Sequence, residues 1–163
     1  PIMTEIIGFA NAGGYVMGIC NGFQILTESG LLPGALLHND SHKFICKNTY
    51  LKAETKNTLI TNQYAKKVIK IPIAHGEGKY FADEKTMKSL IQNDQILFKY
   101  CDENGNITEQ ANPNGSLLNI AGVCNADRNV FGMMPHPERA ADKELTNQDG
   151  LTLFKSILAE ILL

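Results

Sequence analysis

The stretch VMGICNGFQILTESG, residues 16–30, constrains the fold more than any other. A short apolar run meets Gly18-Ile19-Cys20-Asn21-Gly22, and a helix-like segment follows at once. A strand that turns directly into a helix through Gly-x-Cys-x-Gly is the cysteine counterpart of a nucleophile elbow. The corner residue takes a strained backbone conformation, and its neighbours two positions away are small because the strand end and helix start nearly touch. Its side chain projects at the carboxyl edge of the sheet, where open α/β folds bind ligands. Helix N–H groups lower the pKa of a thiol placed there, and the Asn21 N–H is placed to stabilise an oxyanion. A buried structural cysteine beside helix-packing glycines competes as a reading of the pentapeptide. The flanking strand and helix favour the nucleophile.

The rest of the chain reads as α/β. Ile2, Met3, Ile6, Ile7 and Ala10 recur at helical spacing, and Gly13-Gly14 ends that helix. Tyr15 to Ile19 reads as a short buried strand, and Gly22 to Ser29 as a helix closed by Gly30. This helix–strand–helix order is the interior of a parallel βα layout. Strands are predicted near 44–54, 68–75, 96–101, 119–124 and 130–134, with a short helix from Asp83 to Gln92. Residues 102–106 and 112–115 are turn clusters. The final segment places Leu151, Phe154, Ile157, Leu158, Ile161 and Leu162 on one helical face. One domain over residues 1–163 accounts for this order, without repeats or a low-complexity linker.

Bulk properties exclude several classes of function. A net charge of −2 argues against a nucleic-acid or anionic-membrane surface, and Lys66, Lys67 and Lys70 read as a solvated face. No apolar run approaches the roughly 18 residues of a membrane span, and no signal-like segment opens the chain. Cys20, Cys46, Cys101 and Cys124 are scattered, with neither zinc spacing nor a disulfide framework. The expected setting is therefore reducing and cytoplasmic. Core packing is the expectation for Cys46, Cys101 and Cys124.

A cysteine nucleophile needs a proton carrier, and four histidines compete. His38 and His42 lie in the polar turn LLHNDSHKF, while His75 ends an apolar strand. His136 precedes Pro137, which disfavours helical geometry and keeps the chain extended there. In an extended chain residues i and i+2 point the same way, which sets Glu138 beside His136. An imidazole oriented by a carboxylate is what a Cys–His nucleophile requires.

These residues together resemble the class I (triad-type) glutamine amidotransferases. The family's nucleophile motif, Gly-x-Cys-x-Gly-x-Gln, is matched by Gly18, Cys20, Gly22 and Gln24, and its His-Pro-Glu motif by His136, Pro137 and Glu138. The likeness is strongest to the branch serving de novo purine synthesis. It runs through GICNGFQILTESGLLPGALL, SHKFICK, IPIAHGEGKYF and NVFGMMPHPERA, over essentially the whole chain. The resemblance implies the flavodoxin-like class I glutamine amidotransferase fold and glutamine hydrolysis through a γ-glutamyl thioester. Cys20 is then the nucleophile, His136 the proton shuttle and Glu138 its orienting carboxylate. Gly18 and Asn21 belong to the glutamine pocket, Gln24 helps hold the substrate's amino-acid end, and His75, Gly76 and Glu77 line the pocket.

The resemblance also implies partners. Ammonia passes to a separate synthetase subunit that makes formylglycinamidine ribonucleotide, and a small accessory subunit assists the assembly. No phosphate-binding Gly-x-x-x-x-Gly-Lys-[Ser/Thr] motif occurs here. ATP and Mg²⁺ are therefore assigned to the synthetase, with no cofactor and no metal in this subunit. Two readings stand beside this one: a peptidase-like cysteine hydrolase of the same architecture, and a non-catalytic assembly module. The family places two βα units before the cysteine strand, whereas one helix precedes it here. At about 30 residues per βαβ unit, roughly 60 residues are expected upstream, including a loop that donates a second oxyanion N–H. Loss of one such donor costs about 100- to 1000-fold in turnover, and loss of central strands exposes a sheet edge.

Overall fold

Apolar alternation and helical periodicity resolve into four helices and eight strands in the computed structural model, which describes residues 2–64, 68–145 and 147–161. In order these are α1 (Ile2–Asn11), β1 (Val16–Ile19), α2 (Asn21–Glu28), β2 (Ala35–His38), β3 (Ile45–Ala53) and β4 (Val68–His75). Then come β5 (Glu77–Phe81), α3 (Glu84–Gln92), β6 (Ile96–Cys101), β7 (Ile120–Cys124), β8 (Val130–Met133) and α4 (Leu151–Ile161). Most predicted elements fall where periodicity put them. At the predicted start of α3 the Asp83 carboxylate accepts the Thr86 N–H at 2.7 Å and caps the helix.

Six strands form one mixed sheet in the order β1-β8-β7-β6-β3-β4, and β2 pairs with β5 in a separate ribbon. The expected parallel layout is confined to β1 and β8, where Gly18 lies opposite Gly132. All other pairs are antiparallel. Neither ribbon strand is expected from sequence. LLHNDSHKF reads as a turn because its polar residues mask a four-residue strand, and HGEG reads as a loop because of its glycines.

Side chains alternate between two cores. On one face Phe23, Leu26, Leu90, Val123 and Val130 pack with α1, α2 and α3. On the other, Leu51, Ile71, Phe98 and Phe131 pack against Leu153 of α4. Phe23 is wholly buried, and burial of such a side chain stabilises by about 1.5–3 kcal/mol. Asn129 seats β1 beside β8: its amide donates to the Ala10 and Gly14 carbonyls at 2.7 and 2.9 Å, and its own carbonyl accepts from Val16.

Several expectations are corrected. β1 is only partly buried, because it forms one edge of the sheet. On α4 Leu153 and Ser156 are buried, Phe154 and Ile157 of the predicted stripe pack partly buried against the same core, and Leu158 is exposed. The side chain of Ile161, like Leu162, Lys66 and Lys67, lies outside the described residues. Lys70 is exposed on β4 above the Tyr50 ring. Cys101 and Cys124 are buried as expected, but Cys46 is exposed. It sits where β3 pairs with β4 beyond the reach of β6. No described helix is long and apolar enough to cross a membrane.

Candidate active site

The carboxyl end of β1 delivers Cys20 to the first turn of α2 with φ 53° and ψ −109°. That left-handed, strained backbone is what an elbow requires. Its N–H donates to Met133 of β8 at 2.9 Å and its carbonyl accepts from Gln24, so both sides of the corner are anchored. A Cβ at Gly18 would lie 2.5 Å from the Gly22 backbone, which explains the small residue there. Gly22 is different: its own Cβ would meet open space. The close approach therefore restricts position 18 and not, as expected, both positions.

His136 comes from the loop after β8. Its N–H donates to the Pro72 carbonyl of β4 at 2.8 Å, which fixes the loop across the sheet. Its Nδ1–H donates to Glu138 Oε1 at 2.6 Å. The predicted pair forms, but by another route: residues 137–140 make a short 3₁₀ turn, with Pro137 at its start. Proline suits the first position of such a turn. Because Nδ1 carries the proton, Nε2 is the free face of the ring. It is buried, without a hydrogen-bond partner.

Cys20 and His136 open onto one cavity of about 490 Å³, together with Asn21, Gln24, His75 and Glu77. That volume is within the range of small-molecule sites. The Cys20 thiol makes only weak contacts, to the Ala74 carbonyl at 3.8 Å and Asn21 Oδ1 at 4.0 Å. No hydrogen bond joins it to His136 Nε2. Its pKa differs from expectation. Burial holds the thiol above its ordinary value and outweighs the Asn21 N–H and the Arg139 guanidinium, both of which favour thiolate. Cys20 is 8% exposed, and loss of hydration disfavours the charged thiolate.

The segment 75–77 is held from both sides. Gln24 Nε2 donates to the Glu77 carbonyl at 2.8 Å, so this side chain braces the pocket wall. Gly76 lines the cavity, and its carbonyl accepts from Asn39 N–H at 3.0 Å. The Glu77 carboxylate turns outward to His38, 3.4 Å away. His75 is buried, and Asn39 fixes its tautomer. The Asn39 amide donates to the Lys43 and His75 carbonyls, leaving its oxygen to accept from His75 Nδ1–H at 3.0 Å. His75 Nε2 is then a lone pair without a partner. Burial, reinforced by His136, pulls this imidazole down to about 4. A side chain at Gly78 would run into the His75 ring.

Sequence reasoning did not find Asn39, Phe44 or Arg139. Asn39 follows β2 of the β2–β5 ribbon, which has no local signal, and Phe44 precedes β3 where that strand pairs with β4 at His75. Arg139 directly follows the His-Pro-Glu motif, and a cation in that place was the available clue. Among the described residues no cluster of three or more His, Cys, Asp or Glu side chains could hold a metal ion.

A family model described as the CobB/CobQ-like glutamine amidotransferase domain matches residues 1–152. A phosphoribosylformylglycinamidine synthase subunit PurQ from Synechocystis sp. is 57% identical over 157 residues, covering 96% of this chain and 70% of that protein. Its counterpart from Chlorobium luteolum is 50% identical over 162 residues, covering 99% and 70%. The structure of PurLQS from Thermotoga maritima superposes with a TM-score of 0.83 at 43% identity, over 98% of this chain and 68% of that one.

Proposed function

This chain belongs to the CobB/CobQ-like glutamine amidotransferase family, in the phosphoribosylformylglycinamidine synthase branch, and on that premise we propose that it works through a Cys20–His136–Glu138 triad. It hydrolyses glutamine and supplies the ammonia to a synthetase subunit that makes formylglycinamidine ribonucleotide in purine biosynthesis. The observation that carries the triad is geometric. Cys20 stands strained on its elbow and opens onto the cavity that His136 shares, with the imidazole held by Glu138 at 2.6 Å.

Glutamine enters with its side-chain amide at the sulfur. His136 Nε2 takes the thiol proton, and the thiolate attacks the amide carbon. The Asn21 N–H faces the oxygen that gains charge. Collapse breaks the C–N bond, the proton on His136 leaves with the nitrogen as ammonia, and a γ-glutamyl thioester remains. Water, deprotonated by the same nitrogen, then releases glutamate and restores the thiol. Glu138 keeps the imidazole in the tautomer these transfers need. Because burial raises the resting thiol pKa, the thiol passes its proton to His136 Nε2 as it attacks the substrate.

The synthetase holds the ATP and Mg²⁺, this subunit uses neither cofactor nor metal, and a small accessory subunit joins the assembly in the cytoplasm. The test is reconstitution of the full-length chain with its synthetase. Cys20→Ala is expected to abolish glutamine-dependent synthesis and glutamate release while added ammonia still supports synthesis. Loss of both activities would mean an assembly role, and glutamate release by the variant would mean that Cys20 is not the nucleophile.

A further inference from the structure

The proposed chemistry at Cys20 consumes a neutral amide, yet the cavity carries charge. Among the described residues lining it, Arg139 is the one permanent cation, while the Glu77 carboxylate turns outward to His38. A free α-amino acid has the complementary anion, its α-carboxylate.

Arg139 is anchored without being saturated. Its Nε lies 3.5 Å from Glu138 Oε1, an oxygen whose shorter bond, at 2.6 Å, is to His136. The guanidinium makes no other ion pair with the described residues, and its side chain is 51% exposed. Arg139 lines the cavity, and a guanidinium presents paired N–H donors that match a carboxylate in bidentate fashion.

We propose that Arg139 binds the α-carboxylate of the amino-acid substrate and thereby sets the preference for free glutamine over forms blocked at that end. The carboxylate docks on the guanidinium, and the side-chain amide reaches the sulfur. The assignment rests on the glutaminase reading above. A competing role for Arg139, acting through Glu138 on the imidazole, would show in turnover and not in substrate choice.

The experiment compares L-glutamine with L-glutaminamide, whose α-carboxylate is a carboxamide, on the full-length chain in complex with its synthetase. Ammonia release is measured for the parent, Arg139→Gln and Arg139→Lys. A charge-assisted bidentate contact corresponds to a preference of roughly 10- to 100-fold in kcat/KM. The parent is expected to favour glutamine by that factor. Arg139→Gln is expected to raise KM for glutamine by a similar factor, to change kcat less than about threefold, and to leave KM for glutaminamide unchanged. Arg139→Lys, which keeps the charge but loses the fork, is expected to recover part of the preference and guards against a folding defect in the glutamine variant. An unchanged preference in Arg139→Gln, or a fall in kcat alone, overturns the proposal while leaving the glutaminase reading intact. A parent complex that releases no ammonia from glutamine overturns both.

Discussion

Lowering the pH from about 7.5 to about 5 puts one buried group, His75, under direct test. The ring is 4% exposed, its Nδ1–H is committed to Asn39, and its Nε2 faces no acceptor. A proton added at Nε2 would place a charge where nothing can solvate it. The pKa is accordingly drawn down from 6.5 to about 4, by burial first and by the neighbouring His136 second. The unfolded chain has no such barrier. Below pH 6.5 it binds a proton that the native state refuses, so the contribution is complete above 6.5 and is lost as pH falls toward 4. At about 1.4 kcal/mol per pH unit, the loss is roughly 2 kcal/mol by pH 5 and roughly 3 kcal/mol below pH 4. That is a large fraction of the stability of a small domain. Urea unfolding of the parent and of His75→Gln, at steps between these pH values, reads it out. The variant starts less stable at pH 7.5, and the gap is expected to close by about 2 kcal/mol at pH 5. Parallel stability curves would refute the claim that the native imidazole is held neutral.

Gly18→Ala is expected to destabilise the fold by about 1–3 kcal/mol, since its Cβ would sit 2.5 Å from backbone at Gly22 and 2.6 Å from Leu26. A shift of about 1 Å at the elbow lowers glutaminase turnover about 100-fold; denaturation and glutamate release measure the two effects, and near-normal turnover would disprove the steric account. Alkylation of Cys20 by iodoacetamide, followed in a Cys46→Ser background because Cys46 is exposed, is expected to keep accelerating beyond pH 9.0, since burial raises the thiol pKa above that value. A plateau near neutral pH would show that the helix N–H groups prevail over burial.

How much could be read locally depends on where each signal lies. The elbow was legible because its strand, corner and helix are contiguous, and β4 and α3 because their periodicity and bounding residues are local. The His136–Glu138 contact was also legible, although it forms in a 3₁₀ turn and not in extended chain. The β2–β5 ribbon was not: each strand is short and polar, and only its partner, some forty positions away, stabilises it. Cys46 misled for a similar reason, since alternation marks it as a strand residue but cannot say that β6 stops short of it.

The sequence by itself determined the chemistry available: a thiol at a strained corner, an imidazole with its carboxylate two residues on, and an α/β frame to carry them. These follow from bonds and sterics within a few residues. Only the tertiary structure decided what each group experiences. It buried Cys20 and reversed the expected direction of its pKa, turned Gln24 into a brace for the pocket wall, buried His75 so that it stays neutral while Asn39 fixes its tautomer, and set Arg139 in the cavity lining. Solvation, charge proximity and hydrogen-bond satisfaction depend on distances through space, and no local pattern encodes those until the sheet brings β1, β4 and β8 together.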